Sequence, residues 1–162
     1  LVGLFASTKS IGNDRIMCHM RLGDNMVKSN DISGVLDPEY FTQVVNKYFS
    51  GSKEEMNCFS DSNEIAMSLY NISVDQLDRS TSLSETFTSM LQCKHFIVGN
   101  STLSWWAAYL GHDPDSIVVY PKPFYRDRYD NMSKHFEYFS NATPQPAIFI
   151  LETNFSNEKI TE

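Results

Sequence analysis

The sequence predicts an α/β fold, a parallel sheet with helices on both faces. Short apolar runs alternate with amphipathic stretches along the 162 residues, the amphipathic stretches repeat at helical spacing, and capping residues mark their boundaries.

RIMCHMR, residues 15–21, is an apolar run that ends in charge and reads as a strand. In DPEYFTQVVNKYF, residues 37–49, Tyr40, Phe41, Val44, Val45 and Tyr48 share one helical face. Asp37 suits the N-cap and Pro38 the first helical position, and Gly51 stops the helix. MNCFSDS (56–62) is a second strand ending in polar turn residues, and NEIAMSLYN (63–71) carries Ile65, Ala66, Leu69 and Tyr70 at helical spacing. Residues 82–92 form a further helix with Leu83, Phe87, Met90 and Leu91 turned inward. Strand HFIVG (95–99), a helix from Thr102 to Leu110 and strand SIVVY (116–120) follow.

Alternation of this kind requires right-handed crossovers and gives a Rossmann-like layered structure. Ligands in such sheets bind beyond the carboxyl ends of the strands, so the loops after residues 20, 60 and 99 are expected to converge. From about Ser140 the chain is rich in Asn, Pro and Ser apart from AIFILE (147–152), and reads as a tail packed on the domain. The expected organisation is a remnant of an interdomain or N-terminal region at 1–14, a sheet-bearing domain at 15–139 and the tail at 140–162.

A composition 41% hydrophobic and 20% charged fits one globular domain with a core of its own. The net charge of -7 leaves no basic stripe, which argues against a nucleic-acid partner. No window reaches the about 18 consecutive apolar residues of a membrane span. The chain opens at Leu1, without a start methionine or signal peptide, and reads as part of something longer. Cys18, Cys58 and Cys93 show neither C-x-x-C nor metal-ligand spacing and read as small buried residues. Five Asn-x-Ser/Thr sequons, at Asn71, Asn100, Asn131, Asn141 and Asn154, hint at the secretory pathway. The one at Asn100 lies in a ligand-facing or buried turn and is expected to stay unglycosylated.

Each strand-end loop has a functional and a structural reading. In HMRLGD (19–24), Arg21 offers a planar fork suited to phosphate, and Gly23 lets the backbone approach a ligand. Arg21 and Asp24 would equally suit a surface ion pair and turn. In FSDSNE (59–64), Ser62 is explained by helix capping, and Asp61 is a candidate ligand contact. In GNSTLSWW (99–106), backbone N–H groups, hydroxyls and the positive end of a helix dipole meet at one point, which makes an anion site. The alternative there is capping by Ser101 or Thr102, with Trp105, Trp106 and Ala107 as core. Together, the guanidinium and the hydroxyl-rich helix start would clamp a diphosphate. No Walker lysine, G-x-G-x-x-G, D-x-D or His/carboxylate cluster is present, so this clamp is expected to work without a metal or other cofactor.

These residues carry a resemblance. HMRLGD resembles the H-x-R-R-x-D signature of the α1,2- and α1,6-fucosyltransferase superfamily, and FSDS resembles its second motif. LQCKHFIVGNSTLSWWAAYL (91–110) closely resembles the third motif of the α1,2-fucosyltransferases, glycosyltransferase family 11, and YPKPFY (120–125) resembles the segment that follows. The similarity covers roughly residues 15–125.

The resemblance implies the C-terminal, donor-binding half of a GT-B enzyme, whose N-terminal domain would be a missing part of the same chain. It implies metal-independent, inverting transfer of fucose from GDP-β-L-fucose to the 2-hydroxyl of a terminal galactose on a glycan acceptor. It also implies residence at the Golgi membrane, facing the lumen. By position, Arg21 matches the motif arginine that faces the β-phosphate and His19 the histidine near the nucleotide. Asp24 matches the carboxylate that orders the loop and, with Arg21, is the catalytic candidate. Asp61 matches the second-motif acid, and Ser101 and Thr102 the turn that holds the diphosphate. Two positions depart from the pattern. Leu22 replaces a second arginine, which removes a positive charge from the donor site, and Thr86, with Glu85 adjacent, stands where an acid reads the guanine edge. Those departures motivate a rival expectation: an inactive or truncated member that binds nucleotide-sugar or glycan without chemistry.

Overall fold

The computed structural model describes residues 14–23, 30, 32–51, 55–126, 131–139 and 141–150. Its sheet contains β1 (Ile16–Met20), β2 (Met56–Ser60), β3 (His95–Ile97), β4 (Val118–Lys122) and β5 (Ala142–Pro146), in the order β2-β1-β3-β4-β5. Every neighbouring pair is parallel. Helix α1 (Pro38–Tyr48) leads from β1 to β2, α2 (Asn63–Tyr70) and α3 (Leu83–Leu91) lead to β3, and α4 (Thr102–Gly111) leads to β4. The expected α/β, Rossmann-like layering is what the chain adopts.

The helices begin where the sequence places their caps. Asp37 accepts a hydrogen bond from the Glu39 amide at 2.8 Å, with Pro38 in the first turn. Past the end of α1, Gly51 takes a left-handed φ of 76° and donates its amide to the Val45 carbonyl, closing the helix as expected.

Side chains alternate across the sheet and build two cores. Ile16, Cys18 and Met20 of β1 pack with Tyr40, Phe41, Val44 and Val45 of α1 and Ala66 of α2. Met17, Phe96, Val98, Val118 and Tyr120 face the other way, against Met90 of α3, Trp105, Ala107 and Ala108 of α4, and a group of phenylalanines. Cys18, Cys58 and Cys93 are all buried, as expected.

Four details differ from expectation. The strand expected at 116–120 runs from Val118 to Lys122. Pro121 is tolerated because β3 pairs with β4 only as far as Val119. Residues 142–146, within the expected tail, form the edge strand, where Pro144 and Pro146 meet little competition for ladder hydrogen bonds. The segment after them folds back along the approach to α1. The Asp37 amide donates to Ile148 and the Ile150 amide to Val35. Two 3-10 turns, Val74–Gln76 and Met132–Tyr138, carry no 3.6-residue periodicity and are invisible to that criterion. Finally, Leu83 and Trp106 are not core residues; Leu83 is 70% exposed at the first turn of α3 and Trp106 is half exposed.

Phe96, fully buried between the sheet and α3/α4, sets the scale of packing on that face. We expect Phe96→Ala to cost about 3–5 kcal/mol in urea unfolding, against less than about 0.5 kcal/mol for Val74→Ala at an exposed position. Equal midpoints for the two variants would contradict this packing.

Candidate donor site at the sheet switch point

The chain leaves β1 toward β2 on one side and later returns to β3 on the other, so the carboxyl ends of β1 and β3 flank a switch point where the connections diverge. The two ends approach closely. A Cβ on Gly99 would stand 2.3 Å from the His19 carbonyl oxygen and 3.6 Å from its Nδ1, so only glycine fits after β3. His19 is 3% exposed, and its Nδ1 has no hydrogen-bond partner among the described residues. Burial drives its pKa down to about 4; the negative charge of Asp61 opposes this and the positive charge of Arg21 adds to it. The imidazole is therefore neutral at physiological pH.

Arg21 leaves the end of β1, and its Nη1 meets Asp61 Oδ2 at 2.6 Å. The same carboxylate accepts hydrogen bonds at Oδ1 from the Leu22 amide (2.7 Å) and the Gly23 amide (2.8 Å). Position 22 contributes only its backbone to this cluster, because the Leu22 side chain is fully buried with Ile16, Cys18 and Met20 on the α1 face. The substitution Leu22 was expected to strip charge from the donor site; its side chain faces the opposite layer. Asp24, expected to be catalytic, lies outside the described residues.

In the turn before α4, Ser101 caps its own helix by accepting from the Leu103 amide at 3.3 Å. Ser104 donates to the Gly99 and Ser101 carbonyls. Asn100 is buried, and its amide nitrogen donates to the carbonyls of Ser33 and Gly34, tying this turn to the approach to α1. Thr102 is exposed at the helix start.

A cleft of about 280 Å³ opens beside these loops, lined by His19, Arg21, Phe59, Asp61, Thr86 and Leu103, with Ser80, Thr81 and Ser82 along one rim. It gathers three of the expected donor residues, His19, Arg21 and Asp61. Ser101 and Thr102 do not line it; their helix contributes Leu103 instead. The rim of Ser80 to Ser82 escaped sequence reading because its hydroxyls look like any polar loop ahead of a helix cap, and Ser82 does cap α3. Glu85 stays outside the cleft. It accepts from the Thr81 amide and hydroxyl at 2.9 and 2.8 Å, which holds its carboxyl below the usual range. Thr86 does face the cleft, and its hydroxyl donates to the Ser82 carbonyl at 3.0 Å. Among the described residues, no three His, Cys, Asp or Glu side chains gather in a group that could hold a metal, and no helix is long and apolar enough to cross a membrane.

The profile of Glycosyl transferase family 11 matches residues 4–141, a span that contains all three strand-end loops. The chain belongs to glycosyl transferase family 11. This family 11 chain is similar to the O-antigen biosynthesis glycosyltransferase WbnK of Escherichia coli, 30% identical over 116 residues. That match covers 66% of the chain and 38% of WbnK, so the chain spans well under half of that relative's length. No solved structure matches.

The buried histidine makes the fold sensitive to acid. The folded state keeps His19 neutral down to about pH 4, whereas the unfolded chain takes up its proton below about pH 6.5. The stability it lends is therefore complete above about 6.5 and declines as pH falls toward 4. Between pH 7.5 and 5 we expect His19 to account for a loss of about 2 kcal/mol, so that His19→Gln flattens the pH profile of urea unfolding. An acid loss of the same size in the variant would assign it to other groups.

Proposed function

We propose that this chain is the donor-binding part of a galactoside α1,2-fucosyltransferase, transferring fucose from GDP-β-L-fucose to the 2-hydroxyl of a terminal galactose. The observation that carries the reading is the guanidinium of Arg21, held at the switch point beside a neutral histidine in a chain of this family. Phosphate oxygens would meet the Arg21 N–H groups that Asp61 does not use, with the α4 helix start nearby adding its positive end. Transfer breaks the bond between the anomeric carbon and the β-phosphate oxygen, and GDP departs with the electron pair. The galactose oxygen attacks from the opposite face, which inverts configuration, and its proton passes to a base. Arg21 stabilises the charge growing on the departing phosphate, a stabilisation larger in the transition state than in the bound donor. Asp24 and the more distal Asp31 are the acids that the sequence places near this loop, and the facing domain is a further source of the base.

The charge on the diphosphate is met by arginine, hydroxyls and helix dipole in this reading, with no metal ion or other cofactor taking part. The acceptor is held by a facing N-terminal domain, which completes a GT-B cleft, and the protein works in the Golgi lumen. The sequons support that compartment.

A second reading, a member that binds nucleotide-sugar without transferring it, is favoured by one observation. Among the described residues that line the cleft, the only carboxylate is that of Asp61, already occupied by three donors, and Thr86 supplies a hydroxyl in place of an acid.

Calorimetric titration of the whole protein with GDP and GDP-fucose in chelator, beside its Arg21→Ala variant, tests both. We expect binding without metal and a loss of about 10- to 100-fold in the variant, as for a hydrogen-bonded charged contact, together with loss of fucosyl transfer. Unchanged binding and turnover in the variant would sink the proposal; binding by the wild type with no turnover on any galactoside would favour the second reading.

A further inference from the structure

We propose that Asp61 is a positioning residue, an internal anion that fixes Arg21 and the backbone turn after β1 and does not itself touch the donor. This rests on the donor reading above and reassigns an acid that family resemblance places among the donor contacts.

The two carboxylate oxygens divide the work. Oδ1 takes the amides of Leu22 and Gly23, at 2.7 and 2.8 Å, and Oδ2 takes Arg21 Nη1 at 2.6 Å. Three donors from three consecutive residues thus converge on one carboxylate. Successive backbone amides that point at one centre form a natural anion nest, and here a side chain of the protein fills it. Asp61 comes directly after Ser60, which pairs with Met20 directly before Arg21, so sheet pairing delivers acid and arginine side by side.

The loop is also shaped around this carboxylate. A Cβ on Gly23 would stand 2.3 Å from Asp61 Oδ2, the oxygen that holds the guanidinium. Any side chain at position 23 would push that oxygen aside.

A free carboxylate beside a diphosphate would repel it, but one saturated by three donors is largely neutralised locally. Arginine loses about 2 kcal/mol of rotamer freedom when it is fixed. Prior fixing by Asp61 removes that cost from ligand binding while leaving most of the guanidinium fork available. The pair is partly exposed, at 39% and 25%, so its contribution is to geometry more than to global stability.

The test is a double-mutant cycle on the whole protein, with GDP as the titrated probe. Asp61→Ala should weaken GDP by about 10- to 100-fold, and Asp61→Asn, which keeps an acceptor for the two amides, by about 3- to 10-fold. Neither should weaken it further once Arg21→Ala is present, because Asp61 acts through Arg21. Gly23→Ala, which pushes Oδ2 off the guanidinium while keeping the carboxylate, should also weaken GDP without adding to Arg21→Ala, and serves should Asp61→Ala fold poorly. Additive losses would overturn the proposal, as would GDP binding more tightly to Asp61→Ala, which would make Asp61 a competitor of the ligand. Amide hydrogen exchange gives a ligand-free readout: Leu22 and Gly23 should be protected in the wild type and in Asp61→Asn, and exposed in Asp61→Ala, with the sheet unchanged. If the wild type fails to bind GDP while this exchange pattern holds, the donor reading falls and the internal anion stands; unprotected amides in the wild type overturn the internal anion.

Discussion

The register of β1 decides which of its side chains reach the cleft. This strand pairs on both edges, with Cys18 level with Cys58 on one side and Ile97 on the other. Because side chains alternate, that register sends Ile16, Cys18, Met20 and Leu22 into the core under α1, and leaves His19 and Arg21 to face the cleft. A slip by one residue would bury the guanidinium under α1 and turn Leu22 toward the cleft. Two neighbouring strands and two hydrophobic layers oppose such a slip, so a site made of loop residues inherits the rigidity of the sheet.

Most of the fold could be read from the sequence because its signals are local. Asp37 and Pro38 start a helix wherever such a pair precedes an apolar face, and Gly51 stops one. The edge strand at 142–146 and the turn at Met132–Tyr138 were not legible, since their existence depends on what they pack against and not on a period of their own. The same division runs through the site. Arg21 and Gly23 announce themselves by residue type at a strand end. The three-way use of Asp61, the orientation of Leu22 and the line of hydroxyls from Ser80 to Ser82 are facts of three-dimensional placement. Ser101 shows the converse, since a residue type suited to anions is spent on its own helix.

The loops at this end of the sheet are also stitched to one another by buried polar groups. Asn100 ties the turn after β3 to Ser33 and Gly34. Asn30 accepts from the Val35 amide and donates to the Ile150 carbonyl, and Arg126 donates to the carbonyls of Asn30 and Ile150. Groups of this kind are stable only with their partners in place, since an unmatched buried amide or carbonyl costs about 1–3 kcal/mol. The turn after β3 is therefore fixed from two directions, by the strand pairing behind it and by the approach to α1 beside it.

The burial of Asn100 would set folding against glycosylation wherever sequons are modified. Its side-chain nitrogen is the atom to which a glycan would be joined, and in the folded chain that atom is committed to two carbonyls beneath the surface. In a compartment that modifies sequons on nascent chains, attachment and folding would exclude each other at this position: a sugar added first leaves no room for the turn to close, and a turn closed first leaves no nitrogen to modify. Asn71 and Asn131, exposed at a helix end and at the start of a 3-10 turn, face no such choice. In such a compartment one short sequence, Asn-Ser-Thr, would make the timing of folding decide whether this turn can close.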